Sequence, residues 1–322
     1  MATYYVDMSA GANTNAGTSA GAGNAWKTIA RAMDVVVGGD KVWVKASAEY
    51  TNPAIIATAG ASNAPITFEG YTTTTGDGGR ATMNTTEATR CLGTSYGLAA
   101  NTAIYYVFKN FRFTGAIADG VNTDCNNLTF KNCKFDTNGT NGITARLSLY
   151  EACEFSSNTG AGCVIDDGGG CFLGCRFYSN GGNGLTCQSN TGVVLGCTFF
   201  SNAGNNMKLG GTDMLSVVYN CTCDGDGKDS NAGISWNGTG HMAVAVNTVL
   251  YDCGIGLDSP GGNMGERVIS RNNLVNANTT AYTNAATFTG EVTSAPAFVN
   301  EVGGADYTPA AGSPLINAGL NG

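Results

Sequence analysis

The chain has 322 residues and a formal net charge of −8, and only 12% of its residues are charged. This acidity argues against non-specific binding to nucleic acid and to anionic membranes, both of which attract basic proteins. The 47 glycines and the hydrophobic fraction of 43% indicate closely stacked turns around a substantial core, and they argue against a helical protein.

The first 50 residues predict a strand, a capping helix and a first turn. Tyr4-Tyr5-Val6 is typical of a strand, and the apolar residues from Trp26 to Val37 fall at helical spacing. Gly38-Gly39 then ends the run. A solenoid exposes an apolar end that needs a cap, and we assign that role to this short helix.

One sequence motif occurs four times in the middle of the chain. Each copy has an apolar residue, a cysteine three positions later, a phenylalanine two positions after that, and finally an asparagine. The copies span 130–138, 150–158, 172–180 and 194–202, so their starts are 20, 22 and 22 residues apart. Alternation of apolar residues predicts strands with one buried face. Because such short strands cannot bury a face alone, the repeat predicts a solenoid over residues 51–275.

The repeat also predicts which side chains stack inside. Equivalent residues of successive turns lie about 4.8 Å apart, so the repeated cysteines form one column. We expect them to be reduced, because buried thiols in such a column act as small hydrophobes. The repeated asparagines are expected to bond along a corner of the stack. The two sets are Cys133, Cys153, Cys175 and Cys197, and Asn138, Asn158, Asn180 and Asn202.

Both ends of the chain resemble one known family. The segments concerned are Tyr4-Tyr5-Val6, Gly39-Asp40-Lys41-Val42-Trp43-Val44, Ala295-Pro296-Ala297-Phe298-Val299 and Gly312-Ser313-Pro314-Leu315. They resemble the pectate-lyase-like right-handed parallel β-helix superfamily. The resemblance implies an all-β, single-stranded right-handed parallel β-helix with a short N-terminal capping helix. It implies one domain overall, closed by a C-terminal tail over residues 276–322.

That superfamily includes lyases, hydrolases, epimerases and viral structural proteins, so its catalytic signatures need to be sought residue by residue. Asp166-Asp167 lies in a glycine-rich stretch and is interpreted as a corner. Asp224-Gly225-Asp226-Gly227-Lys228-Asp229 superficially resembles a calcium loop. We interpret it as a solvated turn, because Lys228 stands where an oxygen ligand is needed and no Glu follows at the bidentate position. His241, the only histidine, is interpreted as a loop residue. No catalytic set is complete, and no metal site is predicted; Ca²⁺ is expected only if the protein is a lyase.

The strongest outward feature is a column of charged residues. Arg112, Lys134, Glu154 and Arg176 stand between inward residues of successive turns, and they are the candidate ligand-binding residues for an anionic sugar or a partner protein. Lys109, Lys131 and Glu151 are expected beside them on the same face. The other interpretation, which we favour because exposed series of charges are common, is a solubilising series of cross-strand ion pairs.

Two functions remain open at this point. The first is a non-enzymatic structural or adhesion protein of a bacteriophage particle, in the head or the tail, that is made in the host cytoplasm. It would be a homotrimer that contacts capsid or tail proteins, with surface polysaccharide as a further candidate partner. The absence of a signal peptide after Met1 motivates this expectation. The alternative is a lyase or glycoside hydrolase that acts on an acidic polysaccharide.

Overall fold

A computed structural model describes residues 1–86, 88–94, 102–188, 192–211, 215–237, 242–258, 268–283, 287–289, 291–300 and 306–313. His241 lies outside these ranges. The chain divides into two compact units, Met1–Gly160 (unit 1) and Ala161–Gly322 (unit 2). Among the described residues, no helix has the length and apolar character needed to cross a bilayer.

Each unit is a parallel β-helix whose turns contain up to three strands, which we name A, B and C in chain order. Within each unit, the strands of these turns pair in parallel with their equivalents in neighbouring turns. Burial alternates along the strands, as in residues 103–109, where Ile104, Tyr106 and Phe108 are buried and their neighbours are not. This alternation gives each strand one inward and one outward face, which confirms the predicted all-β fold class.

The described residues of unit 1 form strands and one helix with the following bounds. The A strands are β1 (Thr3–Val6), β2 (Lys41–Lys45), β4 (Ile66–Tyr71), β7 (Ala103–Lys109), β10 (Asn126–Lys131) and β13 (Ser148–Glu151). The B strands are β5 (Ala81–Asn84), β8 (Phe111–Thr114), β11 (Lys134–Asp136) and β14 (Glu154–Ser156). The C strands are β3 (Ala54–Ile56), β6 (Leu92–Thr94), β9 (Val121–Asn122) and β12 (Ile143–Ala145), and the helix α1 spans Ile29–Met33.

Unit 2 repeats this pattern and adds a hairpin. Its A strands are β16 (Gly170–Leu173), β19 (Gly192–Leu195), β22 (Leu215–Tyr219), β24 (Met242–Val246), β26 (Val268–Arg271) and β29 (Thr287–Thr289). Its B strands are β17 (Arg176–Tyr178), β20 (Thr198–Phe200) and β27 (Leu274–Asn276), and its C strands are β15 (Cys163–Ile165), β18 (Leu185–Cys187), β21 (Met207–Gly210) and β28 (Thr280–Thr283). Two long strands, β23 (Thr222–Asn237) and β25 (Val249–Asp258), run through a B and a C position. The antiparallel hairpin is β30 (Phe298–Asn300) and β31 (Asp306–Pro309).

The core consists of equivalent side chains stacked from turn to turn. In unit 1, the ring of Phe130 stacks on Phe108 at a centroid distance of 5.4 Å and on Tyr150 at 5.6 Å. All three rings are fully buried, and each contributes about 1.5–3 kcal/mol as an upper estimate. The repeated cysteines are also buried and free, as expected from the sequence. The predicted in-register interior is therefore confirmed.

The predicted asparagine corner is present within each unit. In unit 1, Asn138 Nδ2 donates to Asn158 Oδ1 at 2.9 Å, and Asn158 Nδ2 donates to the carbonyl oxygen of Phe135 at 3.0 Å. In unit 2, Asn180 Nδ2 donates to Asn202 Oδ1 at 2.9 Å. These amides are buried, so they satisfy main-chain groups that the turn leaves without strand partners.

The predicted capping helix is present but short. Helix α1 begins after Thr28, whose hydroxyl accepts a hydrogen bond from the backbone N–H of Arg31 at 3.1 Å. Its buried residues include Ile29 and Met33, and the helix packs against β1 and β3. The helix thus covers apolar surface at the N-terminal strands of unit 1, as the sequence predicts.

Candidate functional site

The B strands of unit 1 bring three of the four predicted ligand-binding residues together. Lys134 pairs in register with Arg112 on one side and with Glu154 on the other. Their side chains point outward, because the phenylalanine between each pair of outward residues is buried. The fourth residue, Arg176, lies on β17 in unit 2, where its guanidinium carbon is 5.4 Å from the ring centroid of Tyr178.

Carboxylates engage these cations. Arg112 donates from Nε and Nη2 to the two carboxylate oxygens of Asp136, at 2.8 and 2.7 Å. This hydrogen-bonded pair raises the pKa of Arg112 above its ordinary value. Lys134 Nζ lies 3.7 Å from Asp136 and 3.9 Å from Glu154, which in turn lies 3.7 Å from Arg80. An anionic ligand here would have to compete with a buried carboxylate, and ligand binding by this column stays a prediction.

The expectation that Lys109, Lys131 and Glu151 share the face of that column is wrong. They lie on the A strands, and the first residue after each of these A strands has a left-handed backbone. That residue is Asn110 (φ 58°), Asn132 (φ 51°) or Ala152 (φ 52°) in successive turns. The reversal of φ turns the chain onto a second face, and the sequence repeat alone does not show this bend.

The A strands of unit 1 carry one outward column of aromatic and charged side chains. In register order it contains Tyr5, Trp43, Glu69, Lys109, Lys131 and Glu151. Trp43 and Glu69 could not be assigned to this column from the sequence, because β2, β4 and β7 are separated by irregular intervals. Only the observed register aligns them with the two lysines.

Lys109 and Lys131 face each other directly in this column. Each lysine has a carboxylate on its outer side: Lys109 Nζ is 3.8 Å from Glu69, and Lys131 Nζ is 2.5 Å from Glu151. About two fifths of each lysine side chain is exposed, at 39% and 40%. Neighbouring like charges in register repel each other, and the carboxylates that offset the two lysines lie on the outer sides of the pair.

An aromatic surface lies two strands away from that pair. Lys41 Nζ is 3.6 Å from the centroid of the Trp43 ring and 3.1 Å from Glu69. Tyr71 meets the Trp43 ring edge-on at a centroid distance of 6.2 Å. The indole is half-buried, and the ammonium group of Lys41 lies over one of its faces. The remainder of the ring is partly available to solvent.

The corresponding A strands of unit 2 have a different outward surface. Its register-matched residues are mostly apolar, and among them Leu215 (40% exposed), Met242 (49%) and Ile269 (39%) are the most accessible. We call these three residues, with Val217 and Val244, the apolar A face of unit 2. Exposed apolar clusters commonly mark surfaces that contact another molecule.

In the segment interpreted as a solvated turn, Asp226 and Gly227 are exposed with φ of 50° and 68°, but the interpretation is wrong for Asp224. It lies within β23 with only 5% of its surface exposed. Its Oδ2 accepts a hydrogen bond from the phenol of Tyr307 at 2.8 Å. Burial raises the pKa of this carboxyl above its ordinary value. The cover comes from the hairpin β30–β31, in which Tyr307 lies 83 residues after Asp224, and no local sequence signal could reveal it.

The remaining acidic candidates do not form a metal centre in the described part of the chain. Asp167 Oδ1 accepts a hydrogen bond from the backbone N–H of Gly168 at 2.8 Å, where Gly168 and Gly169 have φ of 79° and 83°. This supports the interpretation of Asp166-Asp167 as a corner. Among the described residues, no group of three His, Cys, Asp or Glu side chains is placed to hold a metal ion.

Comparison with known proteins gives the fold its wider context. A family model described as "Right handed beta helix region" matches residues 73–214. The structure also resembles pectate lyase Pel9A, with a TM-score of 0.72 and 18% identity, over 99% of this chain and 92% of that one. The protein has the pectate-lyase-like right-handed parallel β-helix fold.

Other solved structures share this right-handed β-helix with lower similarity. The complex of XylC with xylose has a TM-score of 0.56 and 7% identity, over 94% of this chain and 88% of that one. A rhamnogalacturonan lyase has a TM-score of 0.50 and 14% identity, over 90% and 73% of the two chains. No curated protein sequence matches significantly. At these identities the likeness concerns the β-helix alone.

Proposed function

We propose that the protein binds an acidic polysaccharide along the outward A strands of unit 1. In this proposal Lys109 and Lys131 hold a carboxylate of the polymer, and Trp43 supports a sugar ring. The observation that carries the proposal is the direct opposition of the two lysines in register, with their carboxylate partners on the outer sides.

The electrostatics favour an anionic ligand at this pair. Two ammonium groups on adjacent strands repel each other, and a carboxylate between them would remove that repulsion. The Arg112–Lys134 pair on the B strands differs, since Asp136 already lies beside both of its cations. The A strands therefore present the better anion site, even though the whole chain carries a net charge of −8.

The spacing favours an extended polymer over a small anion. Trp43 and Lys109 are separated by one strand, which carries Glu69, so the indole and the ammonium group stand about 10 Å apart along the column. That distance suits neighbouring residues of a sugar chain. Glu69 between them is held by Lys41 and Lys109, which offset its charge. The names of two fold relatives, a pectate lyase and a rhamnogalacturonan lyase, support a polysaccharide as ligand.

Calorimetric titration with polygalacturonate and alginate, at low and high salt, tests the proposal. Lys131→Gln should weaken binding about two- to fivefold, as expected for an exposed ion pair. Trp43→Ala should weaken it about tenfold through loss of the aromatic contact. Lys27→Gln, at an exposed lysine before α1, is the matched control. Wild-type affinity in both site variants would refute the proposal.

The same samples test for catalysis. A lyase leaves a double bond in the product, which absorbs in the ultraviolet, so absorbance is followed with and without added Ca²⁺. An increase that Lys131→Gln abolishes would extend the function from binding to cleavage. Binding without any increase would define a recognition protein.

The other function expected from the sequence, a homotrimeric component of a bacteriophage particle, stays a prediction. The feature that favours assembly is the apolar A face of unit 2, where Leu215, Met242 and Ile269 are each at least 39% exposed. Its described residues carry no charge, so a second copy could approach this face without like-charge repulsion. The mass of the full chain in solution measures this directly: a trimer would support assembly, and a monomer would contradict it.

A further inference from the structure

A cavity in unit 2, separate from the surface described for unit 1, has the features of a second binding site. Its volume is about 250 Å³, and it is open to solvent. Its wall combines the corners after three A strands with the C-terminal hairpin, and includes Asn220, Asn247, Asn272, Thr222, Tyr307 and Pro309. Pockets for drug-sized ligands start near 300 Å³, so this cavity suits one ring-sized ligand.

Three asparagines repeat along one side of the cavity. Asn220, Asn247 and Asn272 each follow the end of an A strand, and all have a left-handed backbone, with φ of 53°, 52° and 52°. The strands before them pair in register, Tyr219 with Val246 and Val246 with Arg271. The amides are therefore spaced by the strand separation of about 4.8 Å. The fold presents a regular row of groups that both donate and accept hydrogen bonds.

One of these amides has an unused acceptor. Asn247 Nδ2 donates to the phenol oxygen of Tyr219 at 3.3 Å. Its Oδ1 is buried but accepts no hydrogen bond from any described residue. Buried polar atoms nearly always have a partner, and Asn247 is one of the residues that line the cavity.

The opposite wall is fixed in place by its own contacts. Tyr307 donates its phenol hydrogen to Asp224 at 2.8 Å, and its ring lies 5.2 Å from that of Phe298 and 5.8 Å from that of Phe200. The hairpin therefore holds Tyr307 and Pro309 against the stacked turns. A preformed wall lowers the entropic cost of binding.

The chemistry of the lining identifies the class of ligand. None of the ten described lining residues carries a formal charge: amides and hydroxyls alternate with apolar surface from Val249, Leu274 and Pro309. Hydroxyl-rich rings with apolar C–H faces match such a surface, whereas a carboxylate would find no cation in the lining. We propose that this cavity binds a single neutral sugar residue, held by the row of asparagine amides.

Saturation-transfer NMR and calorimetry with the full chain test the proposal. The probes are glucose, galactose and N-acetylglucosamine, compared with glucuronate and galacturonate. At least one neutral sugar should bind saturably, and more tightly than either uronate. Asn247→Gly keeps the left-handed backbone and removes the amide, and should weaken that binding about tenfold. Thr222→Val is a second, isosteric variant that should also weaken it.

Asn127→Gly is the matched control, because Asn127 has φ of 63° and lies in unit 1. It should bind the neutral sugar as the wild type does. The inference is overturned if no neutral sugar binds, if a uronate binds at least as tightly, or if both cavity variants keep wild-type affinity. Asn247→Gly should leave the binding of polygalacturonate through Lys131 unaffected. Failure of the neutral-sugar proposal can therefore be distinguished from failure of the acidic-polysaccharide proposal.

Discussion

Asp224 shows how the burial of one side chain can depend on an element that is distant in the sequence. Its carboxylate lies on an outward strand position, yet the hairpin covers it and Tyr307 donates to it at 2.8 Å. Burial is the main cause that raises its pKa, and the negative charges of Asp226 and Asp252 add to it. Tyr307 partly offsets this, because a hydrogen bond to the carboxylate favours the charged form.

The stability of the protein should therefore depend on the protonation of Asp224. Because the pKa is raised in the folded state, the folded protein holds this proton more tightly than the unfolded chain does. The ionised carboxylate thus costs stability above the folded-state pKa, and the cost vanishes below the unfolded value of about 3.9. Asp224→Asn should raise Tm near neutral pH, and the gain should shrink toward about pH 4.

Thermal unfolding by circular dichroism across this pH range measures the effect. Asp124→Asn, at an exposed carboxylate of unit 1, controls for the loss of one negative charge. A gain that stays constant with pH, or a loss of stability near neutral pH, would contradict the interpretation of Asp224.

At the scale of elements, α1 illustrates how little helix is needed to cover apolar surface. It has five residues, too few to be stable alone. Its stability comes from burying Ile29, Ala32 and Met33 and from the Thr28 cap. The segment continues into Val37, whose side chain is 60% exposed, so buried and exposed apolar residues stand four positions apart.

Met33→Ala should lower the free energy of unfolding by about 2–5 kcal/mol, because it empties a buried site. Val37→Ala should change it by no more than about 0.5 kcal/mol. Denaturant unfolding of the two variants measures the difference. Equal midpoints would show that α1 is not packed as the structure describes.

At the scale of the whole molecule, the burial of the cysteines determines how they react. All twelve are free, and in the structure only Cys171 is partly accessible while the others are buried. Burial raises the pKa of Cys187 to about 12, and burial together with the neighbouring thiol of Cys153 raises that of Cys133 well above its ordinary value. Thiols that stay protonated and inaccessible react slowly.

Labelling with iodoacetamide should therefore modify Cys171 first in the native protein. After denaturation without reductant, mass spectrometry should find all twelve cysteines modified. Unmodified pairs in the denatured sample would reveal disulfides and refute the expectation of reduced thiols. Rapid labelling of Cys133 in the native protein would contradict its burial.

The sequence predicts what repeats locally and misses what depends on distant contacts. Cys153 and Asn158 could be placed inside because their spacing recurs in consecutive turns. The separation of Lys131 from Lys134 onto two faces could not, since it depends on the left-handed backbone of Asn132. The partners of Trp43 and the burial of Asp224 depend on register and on the hairpin, and neither leaves a periodic trace in the sequence.

The in-register pairing within each unit has a consequence for how this protein can change. Each winding is bonded chiefly to the one before and the one after it. Gain or loss of one complete winding inside a unit would present its neighbours with the same pattern of donors, acceptors and rings. Insertion of a single residue within a strand would instead invert every following side chain of that strand. Such a molecule can grow or shrink by duplication and excision of whole modules, while small insertions are tolerated only at its corners.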